Sequence, residues 1–99
     1  MEERELRAIV GQRIKFFRLR RQFSQADLAE KANISITFLS NIERGNNLPP
    51  TGTLCSLAKA LNVEVWELFK PEEASNEQNS LIDRISQDFA QQVNLAMEM

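Results

Sequence analysis

An all-α fold is predicted for this chain by three features of its sequence. Apolar residues recur three and four positions apart in successive stretches, the spacing that lines one face of a helix. Gly and Pro are scarce, three of each. No stretch alternates polar and apolar residues for long enough to make a convincing strand. Five helices forming one small domain are expected, followed by a separate amphipathic helix at the C-terminus.

Helix 1 is predicted over Glu3 to Arg21, where Leu6, Ile9, Val10, Ile14 and Phe17 make an inward stripe. Ser24 caps helix 2, Gln25 to Lys31, and Ser24-Gln25-Ala26-Asp27 fits a capping box with Asp in the usual Glu position. Ala32-Asn33-Ile34 is a turn, where Asn33 tolerates a left-handed backbone. Ser35 caps helix 3, Ile36 to Arg44, and Gly45 ends it. After a polar loop closed by Pro49 and Pro50, helix 4 runs from Thr51 to Leu61 with Leu54, Leu57, Ala58 and Leu61 inward. A short helix 5, Val65 to Phe69, stops before Pro71. Residues 1–70 thus form the domain, 71–79 read as a polar linker, and 80–99 hold the last helix, which starts at Ser80 and ends near Ala96.

Composition removes several function classes. The chain has 99 residues, 42% of them hydrophobic and 26% charged, ordinary values for a globular protein. No apolar run reaches the ~18–20 residues of a membrane span, so no membrane partner is expected. The acidic start Met1-Glu2-Glu3-Arg4-Glu5 has no apolar core of a secretory signal. One cysteine, Cys55, allows no intrachain disulfide, and a cytoplasmic location is expected. Within Leu54-Cys55-Ser56-Leu57-Ala58 it reads as a small, mostly buried helix residue. With no histidine and a single cysteine, neither a zinc site nor Ser-His or Cys-His catalysis is expected. No cofactor and no enzymatic activity are expected.

The net charge of −2 conceals a split. Residues 1–50 hold nine Lys and Arg against six Asp and Glu, whereas residues 51–99 hold three against eight. Phosphate binding depends on a local basic face rather than on net charge. Arg13, Lys15, Arg18, Arg20 and Arg21 cluster on helix 1; alone, such a run is most simply a solvated helix face.

The segment from Gln25 to Arg44 is the informative part. Two helices joined by a three-residue turn must cross closely. Ala29 is small where they would cross, and Leu28, Ile34, Leu39 and Ile42 are apolar where both would face a core. This is the pattern of a helix-turn-helix, whose second helix can enter the DNA major groove.

From Ile14 to Leu68 the sequence resembles the phage Cro/repressor-type, or XRE, helix-turn-helix family. The matching blocks are Arg18-Leu19-Arg20-Arg21-Gln22-Phe23-Ser24-Gln25, Asp27-Leu28-Ala29, Phe38-Leu39-Ser40-Asn41-Ile42-Glu43-Arg44-Gly45 and Leu57-Ala58-Lys59-Ala60-Leu61-Asn62-Val63. The resemblance implies a five-helix repressor-like domain, binding to double-stranded operator DNA, frequent homodimerisation and a role in transcriptional control. It also implies that Arg18 and Glu43 form a structural ion pair tying helix 1 to helix 3. Gln22, Asn33 and Asn62 stand where the family usually has Gly, and Leu48 and Pro50 replace polar residues.

By this resemblance the exposed start of helix 3 faces base edges, and Ile36, Thr37, Ser40 and Asn41 are the expected readers. The Asn41 amide matches adenine N6 and N7, methyl groups of Ile36 and Thr37 suit a thymine methyl, and Ser40 suits either base type. Phosphate contacts are expected from Gln25 at the start of helix 2, from Arg44, Asn46 and Asn47 after helix 3, and from Arg13 on helix 1.

Trp66 has two readings: a residue of a dimer interface, where aromatic side chains concentrate binding energy, or a lid over the edge of its own core. The C-terminal helix carries Ile82, Ile85, Phe89 and Val93 on one face. That seam has three candidate surfaces: a second copy of the chain, its own domain, or another protein. A homodimer is the favoured reading.

Overall fold

The computed structural model describes residues 1–71. The expectations for the C-terminal helix and its seam of Ile82, Ile85, Phe89 and Val93 lie outside the described residues.

Four α-helices follow one another: α1 (Glu3–Arg20), α2 (Gln25–Ala32), α3 (Ile36–Glu43) and α4 (Thr51–Leu61). Their bounds fall within one residue of those predicted. The described residues contain no strand. The fifth helix is a correction. Val65–Phe69 is a single stretch of 3-10 helix rather than an α-helix. Glu64 ahead of it and Pro71 behind it leave only five helical residues, and 3-10 geometry is characteristic of such short pieces.

The local signals act as their chemistry requires. Ser24 Oγ accepts from the Asp27 N–H at 2.9 Å, and the Asp27 carboxylate accepts from the Ser24 N–H at 2.8 Å, closing the capping box of α2. Ser35 Oγ accepts from the Phe38 N–H at 2.9 Å and starts α3. Asn33 and Asn62 end α2 and α4 in the left-handed conformation with φ of 60°. Gly45 follows α3 at φ 82°.

The core is built from the faces the periodicity marked. Val10 and Ile14 of α1, Leu28 and Ala29 of α2, Leu39 and Ile42 of α3, Leu54, Leu57, Ala58 and Leu61 of α4, and Leu68 are buried together. Full burial of each large side chain is worth about 1.5–3 kcal/mol. Leu6, Phe17, Phe23, Ile34, Val65 and Phe69 close the rim. α1 packs on α3, on α4 and on the 3-10 helix, while α2 packs on both α3 and α4. Cys55 is exposed, contrary to expectation. It follows the inward Leu54 by one residue, which turns it about 100° away from the core face.

No described helix is long and apolar enough to cross a membrane.

Candidate nucleic-acid interface

The position of α3 is fixed from three sides. Gly11 of α1 is buried against its C-terminal turn. A Cβ built on Gly11 would collide with the carbonyl oxygens of Ile42 and Glu43, so only glycine lets the two backbones come this close. Arg7 Nε donates to the Gly45 carbonyl at 3.2 Å, fastening the end of α3 to the first half of α1.

The third constraint is an ion pair. Arg18 Nε donates to Glu43 Oε2 at 2.7 Å, and Arg18 Nη2 donates to Glu43 Oε1 at 3.1 Å. Both residues are buried. Arg18 Nη1 also donates to the Phe23 carbonyl at 2.9 Å, and Gln25 Nε2 donates to Glu43 Oε1 at 3.0 Å. The guanidinium and carboxylate are thus paired and further hydrogen-bonded, which is the condition for burying both charges.

With its inner face held, α3 presents the other. Ile36 is 51% exposed, and Thr37 is exposed beside it on the first turn. Ser40 and Asn41 lie one turn further on and are half-buried. Arg44 Nη1 donates to Ser40 Oγ at 2.8 Å and Arg44 Nη2 donates to Asn41 Oδ1 at 2.7 Å. Asn46 Nδ2 donates to the same Asn41 oxygen at 3.3 Å. Ser40, Asn41, Arg44 and Asn46 therefore form one connected polar surface, with Ile36 and Thr37 at its N-terminal edge.

The remaining expected contacts divide. Asn47 is exposed in the loop beyond Asn46, beside an open cavity of about 470 Å³ bounded also by Glu3, Arg7, Phe38, Leu48 and Pro50. Gln25 opens α2, and its side-chain amide spends one Nε2 hydrogen on Glu43; the second hydrogen and the backbone amides of the helix start remain for an anion. Arg13 is not joined to the group. Its Nε donates to the Glu67 carbonyl at 3.1 Å, and its guanidinium lies over the rings of Phe16 and Phe17 at 4.8 and 4.7 Å. Two residues beyond Gly11 on α1, it points to the other side of that helix.

The basic run on α1 is likewise dispersed. Arg18 is inside, Arg20 lies over Phe16 and Arg21 over Phe23. Trp66 is 61% exposed, with Lys70 Nζ 5.7 Å from its ring centroid. The Ser24 N–H, and then the Ser24 hydroxyl, hold the Asp27 carboxyl below the ordinary aspartate value.

Sequence reasoning missed Gly11, the Gln25 to Glu43 bond and the grip of Arg44 on Ser40 and Asn41. For Gly11 the signal was a glycine inside an otherwise apolar helical stripe, which commonly marks a close approach.

Comparison with known proteins agrees with this geometry. The helix-turn-helix family HTH_3 matches residues 14–67. The immunity repressor protein of Bacillus phage phi105 is 48% identical over 56 residues, 57% of this chain and 39% of the repressor. The chain thus spans about two fifths of that relative's length. The HTH-type transcriptional regulator YazB of Bacillus subtilis (strain 168), itself uncharacterized, is 39% identical over 64 residues, 65% of this chain and 93% of YazB. Among solved structures, the restriction-modification controller protein C.AhdI from Aeromonas hydrophila superposes with a TM-score of 0.62 at 30% identity, covering 64% of this chain and 96% of C.AhdI. The hypothetical transcription factor NHTF from Neisseria gives 0.66 at 27% identity, over 82% and 90% of the two chains. With the matched residues running from the middle of α1 through the 3-10 helix, the chain belongs to the XRE-type helix-turn-helix family of DNA-binding transcription regulators.

Proposed function

We propose that the chain binds a palindromic operator as a homodimer and represses transcription by occupying it, acting by binding alone in the cytoplasm, without catalysis. The observation that carries this reading is the exposed face of α3. Ile36 is a β-branched apolar side chain left half in solvent on a first helical turn, and among the described residues it does not pack on the core. Beside it stand Thr37 and the polar surface of Ser40 and Asn41.

In the major groove Ile36, Thr37, Ser40 and Asn41 meet base edges. Arg44, Asn46, Asn47 and the N-terminal amides of α2 at Gln25 meet phosphates, which set register rather than sequence. Arg13 contributes at most through its charge, because its side chain is engaged with Glu67. Exposed Trp66 suits a dimer contact, and the phage repressor and controller protein among the relatives support a regulatory role.

The test is selection of bound sequences from a random duplex pool. The expected product is a palindrome whose half-sites lie about 34 Å apart, one helical turn, and in which Thr37→Ala and Asn41→Ala each lose the preference at the base pair their side chain meets. A pool that stays unenriched would overturn the operator function and leave a protein-interaction role as the better account.

A further inference from the structure

The amide oxygen of Asn41 is already occupied in the free chain. It accepts from Arg44 Nη2 at 2.7 Å and from Asn46 Nδ2 at 3.3 Å. A carbonyl oxygen offers two lone pairs, and here each has a donor. The orientation of the amide follows from the partner: a guanidinium has five N–H donors and no acceptor, so the atom that faces it must be oxygen. The polar edge of Asn41 left for a ligand is therefore Nδ2, with two hydrogens and no acceptor. Ser40 is biased the same way. Its Oγ accepts from Arg44 Nη1 at 2.8 Å, so its own hydrogen is the part that remains to give.

We propose that Arg44 is a specificity-determining residue, which holds the oxygen of Asn41 and so sets the recognition face to read guanine rather than adenine. The proposal rests on α3 being the major-groove helix. In that groove guanine shows two acceptors, N7 and O6, whereas adenine shows one acceptor and the N6 donor. The two-bond contact of Asn41 with adenine, expected from residue type alone, needs the very oxygen that Arg44 and Asn46 hold. Turning the amide to supply it breaks both bonds and points Nδ2 hydrogens at a guanidinium. A donor-rich edge made of the two Asn41 Nδ2 hydrogens and the Ser40 hydroxyl hydrogen fits guanine first and the single O4 acceptor of thymine second. It opposes the donors of adenine and cytosine. Arg44 spends two of its five N–H groups on this hold, and three remain for a phosphate.

The experiment repeats the duplex selection with wild type, Asn41→Ala, Arg44→Lys and Arg44→Met, each confirmed helical by circular dichroism. The position of interest is the base pair whose preference disappears in Asn41→Ala. In wild type it is expected to carry guanine, favoured over adenine by about tenfold. In Arg44→Met, and in Arg44→Lys, which keeps the charge without the planar fork, that lead shrinks and adenine becomes acceptable. Adenine at this pair in wild type would overturn the proposal. So would Arg44 variants that lose affinity equally for all sequences, the behaviour of a phosphate contact and nothing more, or an Asn41→Ala motif identical to wild type. If no protein in the set enriches any motif, the operator function itself falls and this proposal falls with it.

Discussion

Arg18 and Glu43 meet inside the domain through two hydrogen bonds, 2.7 and 3.1 Å long, and this pair ties the first helix to the third. Its two ends carry further bonds to Phe23 and Gln25, so the entry to α2 and the exit of α3 share one anchor. Removing one partner leaves a buried, uncompensated charge. Glu43→Ala is expected to lower stability by about 3–5 kcal/mol in urea unfolding. Arg18→Met combined with Glu43→Leu should recover most of that loss, because a pair of apolar residues leaves no charge unpaired. A double variant no more stable than Glu43→Ala would contradict this account of the pair.

Gly11 and Gly52 separate two uses of glycine. The Cβ of Gly11→Ala has nowhere to go but into the backbone of α3. A loss of about 1–3 kcal/mol is expected, with weaker DNA binding because α3 is displaced. Gly52 has no atom within 4 Å of a built Cβ and sits in the first turn of α4. Gly52→Ala should therefore raise stability by up to about 1 kcal/mol through helix propensity. Thermal unfolding of the two variants checks both signs.

Gln22 adopts a left-handed backbone with φ 61°, a conformation that costs a residue with a Cβ about 1–2 kcal/mol. Gln22→Gly should relieve part of this, offset by the larger entropy of glycine in the unfolded chain, and raise the melting temperature. Asn33→Gly, at φ 60°, should change it less, since asparagine tolerates this region better.

Asp27 gives the acid limb of stability. Folding depresses its pKa, because the Ser24 N–H and hydroxyl donate to the charged carboxylate. The folded state therefore binds this proton less readily than the unfolded state. The contribution is full above the ordinary aspartate pKa of about 3.9 and is lost as pH falls through the lower folded value. The stability gap between wild type and Asp27→Ala, measured by thermal unfolding across pH, should be constant near neutrality and narrow below about pH 4. A gap that widens in acid would contradict the assignment.

How much of this was legible depends on the range of the interaction. Ser24, Asn33, Ser35 and Gly45 act on backbone within a few residues of themselves, and they placed α2 and α3 within one residue. The core faces of α1 and α4 followed from spacing, although the apolar run around Cys55 hid that this residue turns outward. Val65 to Phe69 was too short for periodicity to tell an α-helix from a 3-10 helix. The collision at Gly11 involves carbonyls some thirty residues away, so a glycine within the α1 stripe signals a close approach without naming its partner. The hold of Arg44 on Ser40 and Asn41 was within reach, because residues three and four apart on a helix are neighbours. Residue type alone leaves open whether such side chains face one another or a ligand.

On the proposed reading, the outer face of α3 is the surface that meets DNA. It is tested most directly by titrating the isotope-labelled chain with a short duplex at low salt, where phosphate contacts are strong, and following the backbone amides by nuclear magnetic resonance. The largest shifts are expected at Ile36, Thr37, Ser40, Asn41 and Arg44, with smaller ones at Gln25, Asn46 and Asn47, all fading as salt is raised. Shifts concentrated around Phe16, Leu19 and Trp66, with α3 unmoved, would contradict it.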